Sequence, residues 1–135
     1  MLCEKILLAY DGTEQARRAL DYAVELARLT GATIGVVSVV PVHAGRIGGD
    51  PWDDATVHSA ELREAKALIE TAGMVPTLHE PFGDISDEIV RTADVGDYDQ
   101  IVIGSRHLGL FDRILKGSIS EHIATEALQT VTIVH

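Results

Sequence analysis

Residues 101–118, IVIGSRHLGLFDRILKGS, hold the side chains and spacings best suited to chemistry. An apolar run, Ile101–Val102–Ile103, meets Gly104 and then a polar loop with Ser105, Arg106, His107 and Gly109. The stretch closes on Gly117–Ser118, just ahead of a helical pattern that opens at Ile119. A strand, a glycine-bearing loop and a helix start make an arrangement that grips phosphate. The first N–H groups of a helix have no partner within it, and the helix dipole favours an anion there. Glycine lets the backbone approach closely. A plainer reading stands beside this one: Gly104 and Gly117 only make turns, since short glycine motifs carry little weight alone. Arg106 likewise reads either as a phosphate contact or as a solvated loop cation.

The other polar constellation is Asp11–Gly12–Thr13, directly after the apolar run Ile6 to Tyr10. Either Asp11 or Thr13 could cap the helix that follows. The six histidines show neither an HExxH motif nor Cys/His ligand spacing, so no metal centre is expected. Ser118 lies in no G-x-S-x-G motif and reads as a helix cap rather than a nucleophile. No catalytic residue is expected.

These groups need elements to position them. Apolar, β-branched runs predict strands near 4–10, 33–40, 75–80, 100–104 and 131–134. Pro76 assigns the third of them to a sheet edge. Helical spacing of apolar residues predicts helices over 14–30, 55–71 and 119–128, with a short one behind the Gly83–Asp84 turn. Gly31 stands where a helix C-terminal glycine belongs. Residues 41–54, with Asp50, Asp53 and Asp54 around Trp52, read as a surface loop, either a lid or partner surface or a solvated connection. Strands alternating with helices imply one α/β domain, a doubly wound parallel sheet with helices on both faces. Ligands of such sheets bind beyond the strand C-termini, where the strand order reverses. Spacing alone does not make strands one and four neighbours.

Composition narrows the partners. Twenty-one acidic against 11 basic residues give a net charge of −10, which argues against nucleic acid. It also makes any nucleotide site depend on local donors. No apolar run is long enough to span a membrane, and no signal peptide precedes Leu2–Cys3. The single cysteine, Cys3, rules out an internal disulfide and fits a reducing compartment. A cytoplasmic protein is expected.

ILLAYDGT at the N-terminus, the Gly83–Asp84 turn before a helix, the strand end IVIGSR and the segment LKGSISEHI occur in the order found in universal stress proteins. The chain resembles that family over essentially all of residues 1–135. The resemblance implies a Rossmann-like sheet, akin to the adenine nucleotide alpha hydrolases, with strand order 3-2-1-4-5. It also implies the motif G-x2-G-x9-G-[ST] of the nucleotide-binding branch. Gly104, Gly117 and Ser118 fit the first, third and fourth positions, but His107 takes the second. That histidine either donates to phosphate or blocks the backbone approach. Carried over by position, adenine contacts come from Asp11 and the backbone of Val39, and the ribose contact from Gly104. The phosphate contacts come from the N–H groups of His107, Gly117, Ser118 and Ile119. The resemblance thus implies a stress-response sensor or switch that binds ATP or a related adenine nucleotide, with or without Mg2+. It also implies a homodimer paired through the C-terminal strand. Two alternatives accompany it: a slow ATPase or self-phosphorylating enzyme, and a nucleotide-free member working through protein contacts.

Overall fold

Ile6, Leu7, Leu8 and Ala9 are all buried, because their strand runs through the middle of a sheet covered on both sides. The structure, a computed structural model, describes residues 3–42, 55–105 and 118–135, Ser118 by its backbone alone. Its elements in chain order are β1 (Lys5–Ala9), α1 (Glu14–Thr30), β2 (Thr33–Val37), β3 (Val40–Pro41), α2 (Ala55–Thr71), β4 (Thr77–His79), β5 (Phe82–Gly83), α3 (Ile85–Val95), β6 (Gln100–Gly104), α4 (Ser118–Glu126) and β7 (Thr130–Val134). Five parallel strands form one sheet in the order β4-β2-β1-β6-β7. Counting only those five in chain order, this is 3-2-1-4-5, with strands one and four side by side.

Alternate residues of each strand feed opposite cores. Ile6 and Leu8 join Ala19, Leu20, Ala23 and Ala27 of α1 and Leu62, Ala65 and Ile69 of α2 on one face. Leu7 and Ala9 join Ile89 and Ala93 of α3 and Ile123 of α4 on the other. Alanines on the inner face of α1 let it lie close to the sheet. Thr13 starts that helix by accepting from the Ala16 N–H at 3.1 Å, a cap worth about 1 kcal/mol. Gly31, at φ +78°, ends it by donating to the Ala27 carbonyl. Asp84 caps α3 in the same way, accepting from the Asp87 N–H at 3.1 Å. Among the described residues no helix is long and apolar enough to cross a membrane.

The second expected strand, 33–40, divides. Ala9 is the last β1 residue to pair, opposite Val37, so beyond it β2 has no partner on that side. Ser38 still donates its N–H to the His79 carbonyl at 3.1 Å, and beyond Val39 the pair Val40–Pro41 joins Phe82–Gly83 in a separate two-stranded sheet. The third strand shortens to Thr77–His79, an edge strand, since Pro76 and Pro81 flank it without N–H donors. The last helix ends at Glu126 rather than Leu128, whose side chain is exposed. The loop reading of 41–54 lies, from residue 43 onward, outside the described residues.

Tyr98 braces the sheet. A Cβ on Gly35 of β2 would fall 1.9 Å from its hydroxyl, and one on Gly96 2.5 Å from its ring. Two glycines therefore make the slot for one aromatic side chain. Its hydroxyl meets His79 Nε2 at 2.7 Å on the edge strand.

Candidate functional site at the strand C-termini

After β1 the chain moves towards β2 and β4, and after α3 it returns to β6 on the other side of β1. The strand order reverses there, which leaves a cleft beyond the C-terminal ends of β1, β2 and β6. Ala9, Val37, Val39, Ile103, Ile85, Ile89 and Ile119 give the cleft apolar walls, and Asp11, Ser38, His58 and Gly104 also line it. Ile85 and Ile119 belong to the first turns of α3 and α4, so both helices turn their electropositive ends towards the cleft.

The turn after β1 is stiff. Asp11 Oδ1 accepts from the Thr13 N–H at 3.1 Å and from the Thr13 hydroxyl at 2.6 Å. Gly12 between them holds φ +77°, a left-handed conformation that suits glycine. Of the two expected caps, Thr13 is the one that holds α1, and Asp11 orients it.

Gly104 has a packing role of its own. A Cβ there would stand 2.5 Å from the Gln15 carbonyl carbon and 2.7 Å from the Ala16 nitrogen. Its bare Cα is what lets the first turn of α1 lie against the end of β6. Next to it, Ser105 donates its N–H to the Val134 carbonyl at 2.7 Å and so ties the strand end to β7.

A polar cluster occupies one wall. Ser38 Oγ lies 3.0 Å from His58 Nδ1, and Glu61 Oε1 lies 2.8 Å from that nitrogen and 3.3 Å from Ser38 Oγ. Ser38 and His58 are buried, and the Glu61 side chain is largely so. Burial pushes the Glu61 carboxyl above its ordinary range, and the Asp11 charge adds to this, while His58 and the Ser38 hydroxyl pull it back. The trio is not a serine-histidine-acid relay. Serine and acid meet the same ring nitrogen here, whereas a relay needs them on opposite ones. Beside it, the Tyr10 hydroxyl is bonded to Glu64 and is pushed upward by burial first and then by that carboxylate.

The profile of the Universal stress protein family matches residues 3–135, the whole described architecture. The chain belongs to the universal stress protein family. A universal stress protein of Thermus aquaticus is 30% identical over 133 residues, covering 96% of each chain. A universal stress protein from Archaeoglobus fulgidus, solved in complex with dAMP, superposes with a TM-score of 0.78 at 27% identity over the full length of both chains. A further family structure, in complex with cAMP, shares the fold at a TM-score of 0.78 and 23% identity, covering 100% of this chain and 99% of its own.

Of the residues to which the family resemblance points, Asp11, Val39, Gly104 and Ile119 meet in the one cleft. Ser118 is the first residue of α4 instead of the residue before it. His107 and Gly117, with Arg106 and Gly109, lie outside the described residues. Ser38, His58 and Glu61 were not anticipated. The available signal was His58 in register with Leu62, Ala65 and Ile69, the buried stripe of α2. A histidine on an apolar stripe followed three residues later by a glutamate marks a buried polar pair.

Proposed function

We propose that this universal stress protein binds an adenine nucleotide, ATP among them, in the cleft, and acts as a cytoplasmic stress-response sensor or switch by binding it. The observation that carries this reading is the convergence of Asp11, Val39, Gly104 and the start of α4 on one apolar-walled cleft at the strand reversal. The dAMP complex of the Archaeoglobus fulgidus relative supports the same ligand class. In this reading the base enters the apolar slot between Asp11 and the Val39 backbone, and the ribose rests on Gly104. The phosphates meet the N–H groups of His107, Gly117, Ser118 and Ile119, where the helix dipole favours negative charge. Mg2+ travels with ATP rather than in a carboxylate cage of the protein. With a net charge of −10 on the chain, these local donors must supply the attraction. The family domain spans residues 1–135, and two copies pair through the outer edge of β7.

Native mass spectrometry of the purified chain, followed by calorimetry with AMP, ADP and ATP, tests the reading. Retained nucleotide, or binding that Gly117→Val removes by placing a side chain among the phosphates, supports it. Absence of both retained nucleotide and measurable binding would sink it and leave a family member acting through protein contacts alone.

A further inference from the structure

The end of the sheet opposite the cleft carries the most exposed large apolar side chains among the described residues. Leu29 is 78% exposed, Val75 82%, Val95 76% and Leu128 90%. Each stands at the end of a helix or in the connection just after it: Leu29 in α1, Val75 beyond α2, Val95 in α3 and Leu128 beyond α4. In a parallel sheet the helix-to-strand connections all reach the strand N-termini, so the four side chains share one end of the molecule. Single exposed aliphatics are ordinary. Four of them, one for each helix and all at one end, call for a reason.

The connections are tied together. Arg28 donates to the Ala72 carbonyl at 3.2 Å, which holds the end of α1, with Leu29, against the end of α2 that leads to Val75. Gln129 donates to Asp94 Oδ1 at 2.8 Å, which brings the connections carrying Leu128 and Val95 together. Between these two pairs the strand starts are joined laterally. The Thr33 N–H donates to the Glu4 carbonyl at 2.9 Å, the Glu4 N–H to Asp99 Oδ2 at 2.8 Å, and the Thr130 N–H to the Asp99 carbonyl at 3.3 Å. The four aliphatics thus stand on one fixed frame.

Charge at this end has one sign. The last turns of α2, α3 and α4 hold no basic residue, although a helix C-terminus favours one. They hold Glu70, Asp94 and Glu126 instead, all exposed, where the negative end of each dipole adds to the carboxylate. The cations close by are already engaged, Arg28 with Glu25 and the Ala72 carbonyl, and Lys5 with the Gly96 carbonyl and the Tyr98 ring. Acid at a helix C-terminus is unfavourable, so an external cation would relieve this arrangement.

We infer that this face docks a protein partner that presents lysine or arginine together with aliphatic side chains, as one face of a basic amphipathic helix does. The aliphatics supply apolar area to bury, and the carboxylates select the sign of the partner. The same charges disfavour other occupants. A second copy docked face to face would set carboxylate against carboxylate, and an anionic bilayer or a nucleic acid would be repelled. The face lies at the opposite end from the cleft, so the inference holds whether or not a nucleotide binds there.

The test titrates the full 15N-labelled chain with a lysine–leucine peptide designed as an amphipathic helix, and follows the amide spectrum. Shifts should concentrate at residues 28–33, 72–77, 94–99 and 127–130 and leave the cleft amides at 9–13 and 103–105 in place. The same peptide with glutamate for lysine, or with serine for leucine, should not bind. Val95→Ser with Leu128→Ser should weaken the lysine–leucine peptide by about fivefold or more, the scale of truncated interface contacts. Glu70→Gln with Glu126→Gln should weaken it and flatten its salt dependence. If either double variant does not fold, the wild-type shift map and the two control peptides still decide. No binding, shifts centred on another surface, or undiminished binding in Val95→Ser with Leu128→Ser would each overturn the inference. So would a dimer in sedimentation velocity that this pair dissolves, because a second copy would then cover the face. Attachment to phosphatidylglycerol vesicles that the pair abolishes would overturn it in favour of a bilayer. None of these results bears on the nucleotide cleft.

Discussion

Single residues in this fold act through what they exclude as much as through what they bind. Gly104 is the clearest case, because the α1 backbone occupies the space of its absent side chain. A loss of nucleotide binding on mutating it therefore reports on helix packing as well as on a ribose contact. His79 shows how one half-buried ring links the fold to pH. Burial, and then the charge of Lys5, hold it below its usual 6.5, so the neutral ring accepts from the Tyr98 hydroxyl. Between the folded and unfolded values the unfolded chain binds more protons, so stability rises with pH there. Its contribution is thus complete above 6.5 and lost as pH falls from that value through the folded one. Urea unfolding of wild type and His79→Gln should show the wild type losing more of its midpoint between neutral and mildly acidic pH. Parallel losses in the two proteins would mean that His79 is not the linked group.

Among the elements, β7 leaves work undone. It pairs with β6 on one side only, as an edge of the five-stranded sheet. Thr130 N–H donates to Asp99 and the Val134 carbonyl accepts from Ser105, so these residues direct their backbone groups to β6. By alternation, Val131 and Ile133 direct theirs to the open edge. Edges of this kind pair readily with a second chain. Ile133→Pro removes an outward N–H while sparing the ladder with β6. It should convert a dimer in sedimentation velocity to a monomer that retains its circular dichroism. A dimer that survives this change would have to be built on another surface. The division of β2 from β3 is also an element-scale fact with a functional result. Ser38 continues the alternation of Ile34 and Val36 on the α2 face, which seats its side chain against His58 and Glu61, while the chain beyond it turns to pair with β5.

For the whole molecule, charge and site pull in opposite directions. The net charge of −10 repels an anionic nucleotide at a distance, while helix ends attract it at contact. Added salt screens the long-range part first. The association rate of AMP in stopped flow should therefore rise with ionic strength, the reverse of an electrostatically steered encounter. A rate that falls with salt would show that the field at the cleft mouth is positive despite the net charge.

What the sequence determined by itself was local. Short, β-branched apolar runs bounded by turn residues fit strands buried on both faces, and the 3.6-residue spacing of small apolar residues fits helices packed upon them. Their alternation then leaves few topologies, so the doubly wound fold was legible from the spacing of apolar residues. Asp84 and Gly31 were legible for the same reason, and Thr13 as one of two candidates with Asp11, since caps act within a turn of their own helix. The tertiary structure decided everything that depends on residues distant in the chain meeting in space. It set β1 beside β6, put the α1 backbone against Gly104, slotted Tyr98 between Gly35 and Gly96, and ended β2 where β1 ended. It alone joined Ser38 to His58 and Glu61, because that contact requires α2 to pack on the face of β2 that carries Val36. Periodicity says which face of an element is buried, but only the packed fold says what it is buried against.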